Sequence, residues 1–598
     1  MITLIIGHRG SGKTALLKRI EQYSKTSLEP VVLIDLDMAI EKREGMSITE
    51  IFSVKGEQYF RKIEKKYLAD IVAEYSKQDK RVFVAAGAGY EGPPPPNTHC
   101  LWVRRTTDSL GRIFLDKPRL ESAITPREEY FKRHAEREPK YRKWADDVLF
   151  VPEGTDGPSI YEQNYFTSGI NNIGGTLTLL PEHFKTLKNK ISWGVKFFEI
   201  RSDLLTDEQI KTAIALIPPE KIILSFRRHI DHLGSNDSLP ENILWDWPLE
   251  FGPTPSGKTP PIVSLHEREP HESISACLKK FNAVIGRQHL KLAIHINDFS
   301  ELYEAHQWWM EVPAQRSFLP CSDNSRWAWY RLLMRQKMFL NFFREGDGTA
   351  KDQPVLLDWL RMSDLSAHAF AAVLGDPIIH SHTPIEHGDF FSSRGIPVFA
   401  IRVSAHEWQE GAINILKKLG LRYAAITSPL KKLAYQICNK TDAQTVSLQS
   451  VNTLYWDNEA WHGTNTDIAG LQILTEDLRA HYRPEQIAVW GGGGTLNTLL
   501  KTLPEASFYS ARTGEPRNDG RMNIKPHAVI WAAGLAGKDT PFPPSEWKPK
   551  VVLDLNYSDD SPGKEYALMV GAHHISGLKM FKVQAEKQRI FWAKKNER

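Results

Sequence analysis

Short unbroken apolar runs recur along this chain, and several lead into stretches where apolar positions return every three or four residues. That alternation predicts strands and helices in turn. Ile2-Thr-Leu-Ile-Ile6 reads as a buried strand and Ala15-Leu-Leu-Lys-Arg-Ile20 as a helix, and Val31-Val-Leu-Ile-Asp-Leu-Asp37 is the next strand-like run. The pattern holds to about residue 150, breaks over the turn-rich stretch Pro152–Gly175, and resumes with Lys221–Phe226 and Leu290–Ile296. A second break, Glu345–Asp352, precedes a last segment from about 366, with its own strand, glycine-rich turn and helix around Gly491. The alternation predicts a multidomain α/β protein. No short-period repeat appears, and Pro93–Pro96 is the one low-complexity stretch.

Length and charge narrow the classes. At 598 residues the chain exceeds one core, and roughly 150 residues per domain suggests three or four. No run approaches the ~20 apolar residues of a membrane helix. The chain opens on a strand, not on a basic leader with an apolar run, so secretion is not expected. Cys100, Cys277, Cys321 and Cys438 are scattered without a C-x-x-C pair; they predict neither disulfide framework nor zinc site and suit a reducing cytoplasm. A net charge of +4 leaves no nucleic-acid footprint and makes small molecules the expected partners.

The first chemical signal is Gly7-His-Arg-Gly-Ser-Gly-Lys-Thr14 between the first strand and helix. Glycines in a strand–turn–helix context let backbone N–H groups face phosphates at a helix N-terminus. Gly7, Gly10, Ser11 and Gly12 would form that cradle, Lys13 would neutralise the β- and γ-phosphates of ATP, and the Thr14 hydroxyl would bind Mg²⁺. Asp35 and Asp37 follow, spaced to share a strand face; one could hold the metal while the other takes a proton from an alcohol. Ser47 and Glu50 have capping-box spacing before Gly56-Glu-Gln-Tyr-Phe-Arg-Lys-Ile-Glu64.

These motifs, in this order, resemble shikimate kinase over residues 1–152. The resemblance implies that Asp37 contacts the shikimate hydroxyl as base, that Arg61 and Arg137 clamp the substrate carboxylate, that Arg119 is a lid arginine over ATP, and that Asp35 helps place Mg²⁺. It also implies a close backbone approach at Gly87, although Ala86-Gly-Ala-Gly89 stands where the family has three consecutive glycines.

The last segment carries Gly375-Asp-Pro-Ile-Ile-His-Ser-His-Thr-Pro384, Ile426-Thr-Ser-Pro-Leu-Lys431, Ser450-Val-Asn-Thr-Leu454 and Gly463-Thr-Asn-Thr-Asp467. Together they resemble shikimate dehydrogenase, which implies a substrate domain (366–484), a Rossmann domain (485–570) and a C-terminal helix (571–598) returning to the first. By that resemblance Lys431 and Asp467 are the acid–base pair, and Asn452, Ser381, Thr383, Thr427, Tyr557 and Gln584 hold substrate. Ala425 departs from the pattern, which has Asn there. The turn Gly491-Gly492-Gly493-Gly494 after a strand would take a pyrophosphate. Ala511-Arg512-Thr513, basic where an acid would bind a bare ribose, favours NADP(H) over NAD.

Between these lies a segment, 174–358, resembling type I 3-dehydroquinate dehydratase through Phe198-Glu-Ile-Arg-Ser-Asp-Leu204 and Leu224-Ser-Phe-Arg-Arg228. The resemblance implies a TIM-like (β/α) barrel with Glu199, Arg201 and Arg227 facing its site. That chemistry needs a lysine nucleophile and a histidine base. Asn297 stands at the base position and Gln315 at the lysine position, and no lysine occurs between Lys291 and Lys337. His295, on the face of Asn297, is a candidate displaced base; no displaced nucleophile is visible. The segment is expected to be inactive, leaving it the roles of spacer, homodimerisation surface or ligand sensor. The three-part order resembles the end of the pentafunctional AROM protein, a multifunctional enzyme converting 3-dehydroshikimate to shikimate and shikimate to its 3-phosphate. It equally resembles fungal quinate repressors, which leaves a quinate- or shikimate-sensing regulator as the alternative.

Overall fold

In the computed structural model, the described residues are 2–24, 31–78, 80–105, 126–151, 173–192, 194–227, 242–254, 258–267, 273–284, 286–345, 348–362, 369–378, 381–517, 524–534, 541–557 and 561–596. They form two compact units; the second takes the described residues after Met362 together with Pro126 and Arg127, and the first takes the rest. Each contains two sheets. Among the described residues no helix is long and apolar enough to cross a membrane.

The first sheet of the amino-terminal unit is parallel, in the order Val31–Asp35, Arg81–Ala85, Ile2–Ile6, Thr98–Arg105, Asp147–Val151. Its central strand Ile2–Ile6 is buried at every position, as a doubly covered parallel strand must be. The loop 7–12 leads from it into helix Lys13–Ser24. The expected strand through Asp37 stops at Asp35. The Asp35 carboxylate accepts from the Met38 N–H and caps helix Leu36–Glu44, so Asp37 lies in the first helical turn. A short acid that can satisfy an orphan helix donor starts a helix even when apolar residues precede it. The Ser47–Glu50 box forms and caps helix Ile48–Lys55.

The second sheet has eight parallel strands in chain order, with the last, Phe342–Phe343, paired beside the first, Thr176–Thr178. Lys291, on strand His289–Ile294, reaches Glu199, on strand Phe197–Arg201, at 3.3 Å. Four strand spacings of ~4.8 Å separate these strands in a flat sheet, so the sheet curls around these side chains. The Leu340 N–H donates to Ser317 Oγ, drawing the two edge regions together.

The carboxy-terminal unit has a mixed six-stranded sheet, with strands between Phe370 and Thr464, and a parallel five-stranded sheet in the order Ser507–Tyr509, Ile487–Gly491, Ala528–Ala532, Val551–Asp554, His573–Ser576. The last strand lies beyond the expected limit of 570, so this sheet takes in part of the segment expected to be only a returning helix. The helix itself is Leu578–Asn596. Its Met580 packs into the five-stranded sheet's core and its Trp592 into that of the mixed sheet.

Candidate active sites

The turn after Ile6 can be built only with glycine at its tightest point. A Cβ on Gly7 would lie 2.3 Å from the Val103 carbonyl oxygen, and Gly10 and Gly12 hold positive φ. Lys13 Nζ donates to the carbonyls of Gly7 (2.9 Å) and His8 (3.1 Å), and Thr14 Oγ1 donates to Asp35 Oδ2 at 2.8 Å. Ser11 is buried in the same loop. These are hard oxygen donors beside a lysine, a set that fits Mg²⁺ and a polyphosphate.

Asp37 and Glu64 converge on Gly87: a Cβ there would meet Asp37 Oδ1 and Glu64 Oε1, each at 2.9 Å. A side chain at Gly87 would therefore crowd the two carboxylates. Both oxygens are buried and have no hydrogen-bond partner among the described residues. Burial, then the Asp35 charge, raises the Asp37 pKa above the carboxylate norm, although Lys13 and Arg61 pull the other way. Burial pushes Glu64 up to about 7. Arg61 donates to Glu64 Oε2 (2.9 Å) and Glu57 Oε1 (3.1 Å). Arg137 is half-buried, and its pKa is lowered by burial and by the guanidiniums of Arg133 and Arg61. A guanidinium whose neighbours are also cationic favours a bound anion. Arg119 lies outside the described residues.

Sequence reasoning passed over Glu64, His8 and Glu138. Glu138 takes His8 at 3.1 Å and His134 at 3.2 Å on one oxygen, and Arg104 at 2.8 Å on the other. It thereby fastens helix Pro126–Trp144 to the phosphate loop. The signal for Glu64 was its place three residues after Arg61 on one helix, where an ion pair forms.

In the carboxy-terminal unit one cleft is lined by Ser381, Thr383, Thr427, Lys431, Asn452, Asp467, Tyr557, Gln584 and the turn glycines Gly492, Gly493 and Gly494. Lys431 Nζ donates to Asp467 Oδ2 at 2.6 Å, and Asn452 Nδ2 donates to the other oxygen at 2.7 Å. Ser381 donates to Thr383 Oγ1 at 3.0 Å. A Cβ on Gly494 would lie 3.8 Å from Lys431 Cδ, so the glycine turn faces the lysine. Gly491 has positive φ, and a Cβ there would strike the Ala533 N–H at 2.8 Å. Ala511, Arg512 and Thr513 follow strand Ser507–Tyr509, which pairs with the strand leading into the glycine turn; Arg512 is exposed. The turn leaves room for a pyrophosphate and Arg512 supplies a cation on the same edge, which fits NADP(H).

The middle sheet divides the expected set. Glu199, Arg201 and Arg227 share one pocket with Lys291 and His266. Asn297 does not join them; it is exposed and its amide donates to Glu301. Gln315 is exposed just before strand Arg316–Phe318. Lys291, which sequence reading used only to mark the edge of a lysine-free stretch, is buried between Asp246 (2.8 Å) and Glu199 (3.3 Å). Arg227 lies 3.1 Å from Asp246. Burial alone would raise the Glu199 carboxyl, but Lys291, Arg227 and Arg201 bring it down to about 2. Asp246 is likewise held well below the usual carboxylate range against burial, by Lys291 and Arg227.

A family model of shikimate kinase matches residues 9–151, and one of the shikimate dehydrogenase substrate-binding domain matches 373–454. Curated relatives include a shikimate dehydrogenase (NADP(+)) from Prochlorococcus marinus, 25% identical over 263 residues, 38% of this chain and 91% of the relative. Another, from Pelobacter propionicus, is 26% identical over 39% of this chain and 94% of the relative. A third, from Alcanivorax borkumensis, is 31% identical over 21% and 47%. Solved structures that align include shikimate dehydrogenases from Peptoclostridium difficile (18% identity, TM-score 0.33, 38% of this chain and 92% of that one) and Aquifex aeolicus (20%, 0.32, 38% and 92%). With the phosphate loop in one unit and the Lys431–Asp467 cleft in the other, the chain carries a shikimate kinase domain and a shikimate dehydrogenase domain.

Proposed function

We propose that this chain performs two consecutive reactions, reduction of 3-dehydroshikimate to shikimate and phosphorylation of shikimate on a hydroxyl. The observation that carries the first is the Lys431–Asp467–Asn452 triad, facing a glycine turn across one cleft. NADPH supplies the hydride when bound. Lys431 then gives a proton to the carbonyl oxygen as that oxygen gains charge, and Asp467 holds the lysine aimed at it. Asn452 fixes the Asp467 carboxylate through its second oxygen. Ser381 and Thr383 offer paired hydroxyls to the ring carboxylate, and Thr427, Tyr557 and Gln584 close the ring pocket.

In the kinase domain ATP with Mg²⁺ supplies the phosphoryl group. Asp37 accepts the hydroxyl proton, Arg61 and Arg137 hold the carboxylate, and Lys13 with the loop N–H groups neutralises phosphate charge. Thr14 and Asp35 are the oxygens placed for the metal. A cytoplasmic location goes with this pathway chemistry.

The middle domain reads as a degenerate (β/α) barrel of the dehydratase type. Lys291, the lysine beside Glu199, is engaged by two carboxylates, and the positions that resemble the family's base and nucleophile hold Asn297 and Gln315. The sensor alternative has less support, because binding alone needs neither Lys431 nor Asp37 in a proton-transferring position. The deciding experiment incubates purified full-length protein with shikimate and follows NADP⁺ reduction and, separately, ATP consumption. Both are expected; silence in both, with shikimate still bound, would overturn the enzyme reading in favour of the sensor.

A further inference from the structure

Among the described residues, one group of three histidine, cysteine or acid side chains brings its donor atoms together: His8, His134 and Glu138. His134 and Glu138 stand four residues apart on helix Pro126–Trp144, a spacing that puts them on one helix face. His8 reaches them from the loop that follows strand Ile2–Ile6. Glu138 Oε2 lies 3.1 Å from His8 Nε2 and 3.2 Å from His134 Nε2. Two donors bound to one tetrahedral zinc at ~2.1 Å are about 3.4 Å apart, so these separations suit a shared ion.

The surroundings support the same reading. Arg104 lies 2.8 Å from the other Glu138 oxygen and fixes the direction of the carboxylate. His8 is 2% exposed; its ring packs edge-on against Tyr141 and face to face against His134. His134 Nε2 is buried and makes no hydrogen bond among the described residues, so this nitrogen sits beside a carboxylate without donating to it. The two rings are 4.6 Å apart at 21°. Both lone pairs converge on one ion after a turn of the His134 ring, which no hydrogen bond at Nε2 resists. The His134 side chain keeps 17% exposure, so an ion can enter and a water can fill the fourth position. Two imidazoles and a carboxylate select a zinc-class dication over Mg²⁺, which prefers oxygen donors in octahedral array.

We propose that His8, His134 and Glu138 bind one zinc-class ion in the kinase domain through Nε2, Nε2 and Oε2, and that the ion ties helix Pro126–Trp144 to the phosphate loop. At the loop end of the tie, the His8 carbonyl accepts from Lys13 Nζ at 3.1 Å; at the helix end, Glu138 adjoins Arg137. The test is calorimetric titration of full-length protein, first stripped with a chelator, with ZnCl₂ in excess Mg²⁺. Beside it runs His134→Phe, which keeps a ring against His8 and removes a ligand. The wild type should bind one more zinc ion per chain than the variant, or bind it at least about 100-fold more tightly, since even partners outside the ligand shell are worth roughly 10–100-fold. At a zinc concentration of about 100 times the Kd, amide exchange around His134 should slow by up to about 100-fold in the wild type and stay unmoved in the variant. Equal stoichiometry and affinity in the two proteins would reduce the cluster to an ion pair and overturn the proposal. Zinc binding without slower exchange would overturn the tie between helix and loop. If His134→Phe fails to fold, His134→Gln carries the same expectations.

Discussion

Two buried lysines in this chain each sit against carboxylates, yet their surroundings point to opposite roles. Lys431 has one carboxylate, Asp467, and lies on the wall of a cleft, its stem turned toward a glycine turn. Lys291 has two, Glu199 and Asp246, with Arg227 completing a closed network. A lysine with a single partner at an open cleft can pass a proton to a ligand and be recharged. One shared between two anions inside a curled sheet is held in place, because moving it away would strand two buried negative charges. Burial, a nearby acid and an adjoining pocket are common to both; the number of anions fastened to the lysine is what separates them.

The comparison breaks most easily at Lys431. Lys431→Met should lower kcat for shikimate oxidation by roughly 10²–10⁴-fold and leave ATP-dependent phosphorylation unchanged. Asp37→Asn should do the reverse by a similar factor. Measuring both activities on each variant checks the independence of the two sites, and a variant that silences both would refute it. Lys291→Met should leave both activities intact while removing about 3–5 kcal/mol of stability, the usual loss when one partner of a buried ion pair is deleted; urea unfolding followed by tryptophan fluorescence measures it. Borohydride with 3-dehydroquinate should label no lysine. Labelling at Lys291 would mean that its two carboxylates do not keep the amine from attacking a ligand and that the two lysines differ less than their geometry implies.

Much of the contrast was legible in the sequence, for identifiable reasons. The phosphate loop and the Lys431, Asn452 and Asp467 motifs are short segments whose residues act through local turns and helix starts, so their spacing carries their geometry. Asp37 was displaced from strand to helix because the Asp35 cap is one hydrogen bond that apolar patterning does not register. Lys291 was missed because its partners lie 92 and 45 residues away, joined only by the curl of the sheet. Arg137 and Arg61, by contrast, were read by resemblance, and the influence of Arg61 on Arg137 arises only in the folded chain.

The finest test compares Glu64 with these lysines as a buried group held near neutrality, not locked in a pair of fixed charge. Burial raises its carboxyl from the usual 4.5 to about 7. The folded state therefore binds the proton more tightly than the unfolded one between those values, and stability falls as pH rises through that window. Below about 4.5 both states are protonated and the effect vanishes; above about 7 the full penalty applies. Glu64→Gln, which cannot ionise, lacks this dependence. Hydrogen exchange in helix Glu57–Tyr75, compared between variant and wild type at the same pH, isolates the term. At pH 5 the two should be protected nearly alike, with Glu64→Gln slightly weaker for its poorer bond to Arg61. At pH 8 the variant should gain relative protection on the order of 2 kcal/mol. An equal difference at both pH values would mean that Glu64 is ionised throughout, a fixed partner of Arg61 in the way that Glu199 is a fixed partner of Lys291.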